Sequence, residues 1–445
     1  MKTIKRLPRL DGKIGWVRTS PYHDRNSQTA RFEKPKGLKS PYDYAIIGAG
    51  FTGISLAIEL AKREPEASIL LLDALRVGEG SSGRNAGFII DVPHTLKLDQ
   101  KALEKSSMIH RLNLFAIKRL EYYKNLGKIE CGWQQAGKYL AAHEEKNEPR
   151  LRPFMTMLEK LNLPFEYIEG NRLNQRLGTS YYRSAVYTPD NILVNPAALI
   201  RGIATLLPEN VHLFEETPVT EIEYNSPHTL YTRAGRFCAH VMIQTNSGYI
   251  EELGKLKNTL VPCFTYASLT KPLPKSVKEH YFNAIKPWGI TSAHPAGTTV
   301  RFTHDDRIFI RNKFDYEPKM RSSREFLKYA RHMHTKSFKA RFPFLGNPDF
   351  DYTWGGQVTL TRDLTPLFTK LDDNVYAIMS CNGVGVARGT YLGYYMADLL
   401  HNIESPELRF LMNEGKRKPI PIKPLTSIGA NLRFFYEEYS AQGDI

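Results

Sequence analysis

Residues 44–53 read Tyr44-Ala45-Ile46-Ile47-Gly48-Ala49-Gly50-Phe51-Thr52-Gly53, and residues 68–73 read Ser68-Ile69-Leu70-Leu71-Leu72-Asp73. The apolar run before the glycines has the character of a buried strand, and Ile54, Leu56, Ala57, Ile58 and Leu60 follow in a helix-compatible pattern. Residues 68–72 form a second strand-like run. Strand, turn, helix and strand in this order imply a parallel pair joined by a right-handed crossover. In the turn, Gly48 permits the tight bend, Gly50 lets a pyrophosphate approach the backbone, and Gly53 lets helix and strand pack closely. Phosphates are expected at the helix start, by Phe51 and Thr52, where unpaired N–H groups and the dipole favour negative charge. Asp73 ends the second strand, where a carboxylate accepts hydrogen bonds from an adenosine ribose. A glycine turn alone is a weak signal. With a strand before it, a helix after it and an acid at this distance, it predicts a dinucleotide site, without saying which dinucleotide.

The chain has 445 residues, beyond the roughly 250 to 300 at which one core stops growing, so two domains are expected. Composition is that of a folded protein, 42% hydrophobic and 24% charged, and no apolar run reaches the roughly 18 residues of a membrane span. The basic start of the chain is followed by no apolar stretch of secretory type, so a cytoplasmic location is expected. Cys131, Cys238, Cys263 and Cys381 lie far apart with no C-x-x-C spacing, so neither a disulfide framework nor a metal site is expected. The formal charge is +15, and residues 1–40 hold eleven Lys and Arg against three acids. These residues read as a basic N-terminal arm, either solvated or lying as a cover. The absence of an RNP, zinc-finger or helix-turn-helix pattern disfavours a nucleic-acid partner. The Lys416-Arg417-Lys418-Pro419 cluster reads the same way.

Residues 97–180 are richer in charge, with helical patterns at 107–126 and 151–161, and suggest another layer. From Tyr187 the strand-and-helix rhythm resumes, with Pro196 at a helix start and strands at 211–214, 219–224 and 239–245. Residues 258–350 alternate apolar and polar stretches and read as antiparallel sheet edged by helices. A last strand at 375–379 leads through Cys381-Asn382-Gly383-Val384-Gly385 to a helix from Gly389 to about Leu400. The expected architecture is α/β with an α+β second domain. A Rossmann-type dinucleotide domain takes residues 41–96, 185–257 and 351–402, a discontinuous substrate domain on an antiparallel sheet takes 97–184 and 258–350, and 403–445 form a tail.

The stretch Gly78-Glu79-Gly80-Ser81-Ser82-Gly83-Arg84-Asn85-Ala86-Gly87 resembles the second glycine-rich loop of the D-amino-acid-oxidase-like FAD oxidoreductases. Three further segments resemble that family in the expected order: Val194-Asn195-Pro196 at a helix start, Thr217-Pro218-Val219-Thr220-Glu221-Ile222 as an adenine-side strand, and Trp354 through Thr361-Arg362-Asp363 to Asn382-Gly383-Val384-Gly385. The likeness covers residues 41–400 and is nearest the gamma-glutamylputrescine oxidase-like branch. It implies FAD as cofactor, held by Gly48, Gly50, Phe51, Thr52, Gly53, Asp73, Ser81, Ser82, Arg84, Asn85, Ala86, Gly87, Val219, Asn382, Gly383, Val384, Gly385 and Val386. The turn 382–386 would give backbone N–H donors to the flavin edge that gathers charge on reduction. Arg84 and Asn85 either reach the cofactor or fix their loop. Some relatives attach flavin through a His in the early loop or a Cys before the Thr-x-Asp element. Arg84 and Asn85 stand in place of the one and Gly356 near the other, so noncovalent FAD is expected.

The resemblance also implies oxidation of a C–N bond in an amine or amino acid, by hydride transfer to flavin N5, with oxygen or another acceptor reoxidising the flavin. Such a step needs positioning more than acids and bases, so the lack of a catalytic triad is unsurprising. A substrate carboxylate would need a fixed cation, and Arg301 matches a position where relatives often place Arg. The alternative for Arg301 is an arginine satisfied by Asp305 or another acid. Arg311, Tyr266 and Trp354 are further candidates, Tyr266 as a hydroxyl donor and Trp354 as a pocket wall, and His294 and His304 could aid deprotonation. Two other functions stay open: a tRNA-modifying FAD oxidase, and a flavin-binding protein with a regulatory role.

Overall fold

The computed structural model describes residues 1–23, 40–93, 97–379, 382–441 and 444. Its first sheet has nine strands built outward from Tyr42–Ile47. That strand runs parallel to Ile69–Leu72 on one side and to Gly235–Gln244 on the other, and Ile69–Leu72 is in turn parallel to Val211–Phe214. Gly235–Gln244 also takes Val375–Met379 in parallel, with Met242 opposite Val375. The strands are continuous hydrophobic runs because helices cover them: Ile69–Leu72 is buried at all four positions. Helices Phe51–Arg63, Pro196–Ala204 and Gly385–Leu400 join Leu56, Ile200 and Leu392 in the largest core cluster.

The second sheet has eight strands, antiparallel except where Trp288–Ser292 runs parallel to Lys138–Ala142. Phe350–Thr361 forms its edge and pairs along its length with Leu260–Thr270, which pairs with Ile308–Tyr316. Among the described residues no helix is long and apolar enough to cross a membrane.

Several expectations shift here. Phe350–Thr361 and Ser184–Thr188, expected in the cofactor domain, belong to the second sheet. Alternation marks a strand as half-buried but does not say against which sheet it pairs. The helix Gln100–Leu126, expected in the substrate domain, places Leu112, Ala116 and Leu120 in the cofactor-side core. The last Rossmann helix begins at Gly385 and not at Gly389. In the basic arm, Lys2–Thr3 adds an antiparallel strand to the first sheet and Trp16 is buried, so residues 1–23 are part of the fold; residues 24–39 of the arm lie outside the described residues.

The tail is helical, with Pro406–Glu414 and Lys423–Ser440, and its end is anchored. Fully buried Arg341 donates to the Asp444 carboxylate at 2.5 Å and to the Tyr182 hydroxyl at 3.0 Å, and lies 4.3 Å over the Tyr181 ring. Removing one partner of a buried ion pair leaves an uncompensated charge, at about 3 to 5 kcal/mol. Arg341→Met is therefore expected to lower the thermal unfolding midpoint well below that of a surface control such as Lys336→Met, as calorimetry can check.

Candidate cofactor and substrate site

The glycine turn is held by contacts that leave no room for side chains. Gly48 has φ +114°, and a Cβ there would sit 2.9 Å from the Thr245 backbone. A Cβ on Gly53 would lie 1.9 Å from the Gly48 carbonyl oxygen, and one on Gly50 would meet Ser82 Oγ at 2.6 Å. The Asp73 carboxylate accepts from the Ala49 N–H through Oδ2 and from the Leu75 N–H through Oδ1, both at 2.8 Å. It thus ties the end of the second strand to the turn. Burial pushes its carboxyl up to about 6, although the two N–H bonds pull the other way.

Two adjoining clefts open over this turn, one of about 950 Å³ and one of about 710 Å³. Gly48, Gly50, Asp73, Ser81, Ser82 and Val219 line the first. Gly50, Phe51, Thr52, Ser81, Ser82, Arg84, Asn85, Gly383 and Gly385 line the second. Gly50, Ser81, Ser82, Thr245, Ser247 and Gln357 border both, so the clefts form one elongated site. A Cβ on Gly80, Gly383 or Gly385 would meet nothing within 4 Å. The 16-residue helix Gly385–Leu400 starts at the second cleft, so its N-terminal partial positive charge is directed there. Open backbone, a long cleft and two helix N-termini suit a bound dinucleotide, so the residues present fit FAD.

Other predicted residues shape the site without lining it. Gly53 packs helix against strand. Gly87 has φ +74° and lets Arg301 approach, since a Cβ would be 2.2 Å from Arg301 Nη1. Ala86 gives its carbonyl to the same nitrogen at 2.7 Å. Asn382 is spent on its turn: its N–H donates to Thr359 O, its Oδ1 accepts from the Thr361 N–H and its Nδ2 donates to Thr365 O. Val384 and Val386 cap and begin the helix, and Cys381, quoted with this turn, lies outside the described residues. Arg84 and Asn85 line the second cleft and also fix their loop, Arg84 by donating to Glu79 O at 2.7 Å and Gly355 O at 2.8 Å, Asn85 by donating to Ser82 O at 2.7 Å. Burial lowers Arg84 to about 10.

Residues 4–10 were not foreseen as lining. Ile4, Arg6, Leu7, Pro8 and Leu10 border the first cleft, and Asp11 N donates to Ser322 Oγ at 3.0 Å. The arm runs from an edge of the first sheet, across the cleft, to the segment before the helix Arg324–Arg341. The spacing of Ile4, Leu7 and Leu10 among basic residues was the available signal. Thr245, Tyr249 and Gln357 were missed because long-range pairing, and no local motif, brings them in.

The predicted catalytic residues separate. Arg301 is buried and its Nη1 donates to the carbonyls of Ala86, Gly87 and Val194, with the guanidinium 5.1 Å over the Trp16 ring. Carbonyls are bonded to it, where the anchor role expected a substrate carboxylate and the alternative an acid such as Asp305, and this clamps the loop to the second sheet. Trp354 is buried against Trp16 and Phe309 and donates from Nε1 to Arg84 O at 3.2 Å. Tyr266 is buried with its ring 4.6 Å from Phe326 of the helix Arg324–Arg341, and is not among the cleft-lining residues. His294 is buried and bonded to Ser440, and His304 is exposed beside Gly132. Arg311 is different. Its Nη1 lies 3.4 Å from Oγ1 of Thr265, a residue of the second cleft, and its Nη2 donates to Thr299 Oγ1 at 2.8 Å. Among the described residues its Nε, like that of Arg301, has no partner, and burial lowers its guanidinium to about 10.

Residues 43–399 match the family described as FAD dependent oxidoreductase (DAO). The chain is 25% identical to Probable oxidoreductase OrdL of Haemophilus influenzae, over 94% of this chain and 97% of that one. It is 25% identical to gamma-glutamylputrescine oxidoreductase of Escherichia coli, over 80% and 83%. The crystal structure of glycine oxidase from Geobacillus kaustophilus superposes with a TM-score of 0.69 at 18% identity, over 82% of this chain and 96% of that one. The chain belongs to the FAD-dependent oxidoreductase family: it is an enzyme and FAD is its cofactor.

Asp73 lines the first cleft, and a carboxylate proposed to accept from ribose hydroxyls there would be ionised above about pH 6. FAD affinity of the apoprotein is therefore expected to weaken as pH falls from 7.5 to 5.5. Asp73→Asn should bind FAD about tenfold more weakly at pH 7.5, a loss of about 1.4 kcal/mol in charge-assisted bonding, and lose that pH dependence. Titration of flavin fluorescence reads both.

Proposed function

We propose that this enzyme oxidises a C–N bond in an amine or amino acid, giving an imine that water hydrolyses. Supporting this, one similar protein is named for gamma-glutamylputrescine and one similar structure for glycine, both nitrogen compounds. When bound, FAD supplies the two-electron acceptor, at N5, for the hydride leaving the carbon that bears the nitrogen. Oxygen or another acceptor then takes the electrons. The bond to flavin is proposed to be noncovalent, because Arg84, Asn85 and Gly356 occupy the positions where a linking His or Cys would stand. The scattered cysteines support a reducing compartment, and the cytoplasm is proposed.

The observation that carries the reading is the absence of acids and bases from the described lining of the second cleft. Its described lining is glycine backbone, Ser, Thr, Asn, Gln, Arg84 and the apolar Phe51 and Val358, with no Asp, Glu, His, Lys, Cys or Tyr. Such a wall orients a neutral amine and excludes water, and it has no general acid or base to offer. Thr265 and Thr52 present hydroxyls there. Arg311, behind Thr265 and bonded only to the Thr265 and Thr299 hydroxyls among the described residues, is proposed as the anchor for a substrate carboxylate. This moves the anchor from Arg301, whose Nη1 already serves three carbonyls.

Anaerobic mixing with a panel of amines and both enantiomers of amino acids, followed by flavin absorbance, tests the reading. At least one such compound should bleach the flavin; bleaching by none of them, or only by a modified RNA, would refute it. Arg311→Met should raise the apparent KM of a carboxylate-bearing substrate about 10- to 100-fold, as loss of charge-assisted bonds worth about 1.5 to 3 kcal/mol implies. An unchanged KM with full flavin content would remove Arg311 from the role.

A further inference from the structure

The helix Lys423–Ser440 packs the opposite way round from a usual surface helix. Its inner face is fixed to the second sheet by mixed contacts. The Phe434 ring lies 6.3 Å from Phe314, Ser427 Oγ donates to the Tyr316 hydroxyl at 3.1 Å, Lys313 donates to Glu438 at 2.6 Å, and Glu437 lies 3.7 Å from His294. Its outer face carries Leu425, Ile428, Leu432, Phe435, Tyr436 and Tyr439, each between 59% and 71% exposed. The spacing of three and four residues places them on one stripe. With the preceding Ile422 they expose on the order of 900 Å², more than the roughly 300 to 600 Å² of the largest apolar patch on a typical monomer. That area matches the roughly 800 Å² per partner of a stable protein interface.

We propose that the stripe is the interface between two copies of this chain, paired antiparallel about a two-fold axis at Leu432. An isologous contact requires that residue i meet j while j meets i. About Leu432 the stripe meets that condition. Leu425 falls opposite Tyr439, Ile428 opposite Tyr436, and Leu432 opposite its own copy. Phe435 falls opposite Gly429, where a Cβ would have open space, so the ring has a socket. Aliphatic residues of one copy thus lie on aromatic residues of the other. No like charges are brought together, since Arg433 faces Asn431, and the helix carries two cations, Lys423 and Arg433, against Glu437 and Glu438. This local neutrality lets two chains of charge +15 meet here. It also separates the stripe from a lipid-binding helix, whose apolar face is flanked by Lys and Arg. Residues 24–39 carry only Phe32 and Leu38 as large apolar side chains, too few to cover the stripe.

Sedimentation of the FAD-loaded full chain at micromolar concentration tests the pairing. A species of twice 50.9 kDa is expected, and Leu432→Glu with Phe435→Glu should raise its dissociation constant at least a hundredfold with flavin content unchanged. Leu432→Cys, a milder change, should give a disulfide-linked dimer on oxidation that Lys336→Cys does not. A wild-type chain that is monomeric at every concentration, including one that floats with anionic vesicles, would overturn the proposal. So would a dimer that survives the double substitution, or a Leu432→Cys chain that forms no link.

Discussion

At the junction of Tyr42–Ile47 with Phe51–Arg63, the Gly53 Cα lies so near the Gly48 carbonyl that a methyl group would stand 1.9 Å from that oxygen. Helix and strand can approach this closely only with glycine at both ends of the turn. The approach brings the helix start to the border of the two clefts and sets the Ala49 N–H against Asp73. Remaining parts of the site are placed relative to that junction. Ser82 Oγ accepts from the Phe51 N–H at 3.2 Å, bringing the second glycine loop over the turn, and Thr245 Oγ1 donates to Gly48 O at 2.7 Å from the parallel neighbour strand.

The second sheet closes the site by holding that loop from the other side. Arg84 donates to Gly355 O, Trp354 donates to Arg84 O, and Arg301 donates to the carbonyls after it, so strands of the second sheet clasp residues 84–87. The N-terminal arm adds a further tie: Trp16 donates to Asn85 O at 2.9 Å and stacks 5.2 Å from Phe309. Buried arginines do structural work here, because a guanidinium can satisfy several carbonyls at once where a lysine offers a single point charge. Arg311 stands apart, bonded to hydroxyls in place of carbonyls.

The glycine junction, Asp73 and the second loop were legible in the sequence because their constraints are local: a few residues in one order dictate turn, helix start and strand end. What stayed hidden depends on long-range register. Nothing near Arg301 says that its strand sets it beneath residues 86–87, and nothing near Thr265 says that Arg311 of the neighbouring strand lies behind it. Phe350–Thr361 alternates in the same way whichever sheet it joins. The arm read as basic, either solvated or lying as a cover, because its eleven Lys and Arg face only three acids, and the choice between the two rests on Ile4, Leu7 and Leu10, which border the cleft together with Arg6 and Pro8.

We propose that the two clefts together hold a single, noncovalently bound FAD. Acid precipitation of the purified protein, with flavin measured in supernatant and pellet, tests it most directly. One FAD per chain in the supernatant over a colourless pellet is the predicted result. A yellow pellet would contradict the noncovalent bond, and a colourless protein that takes up no FAD when it is supplied would contradict the site itself.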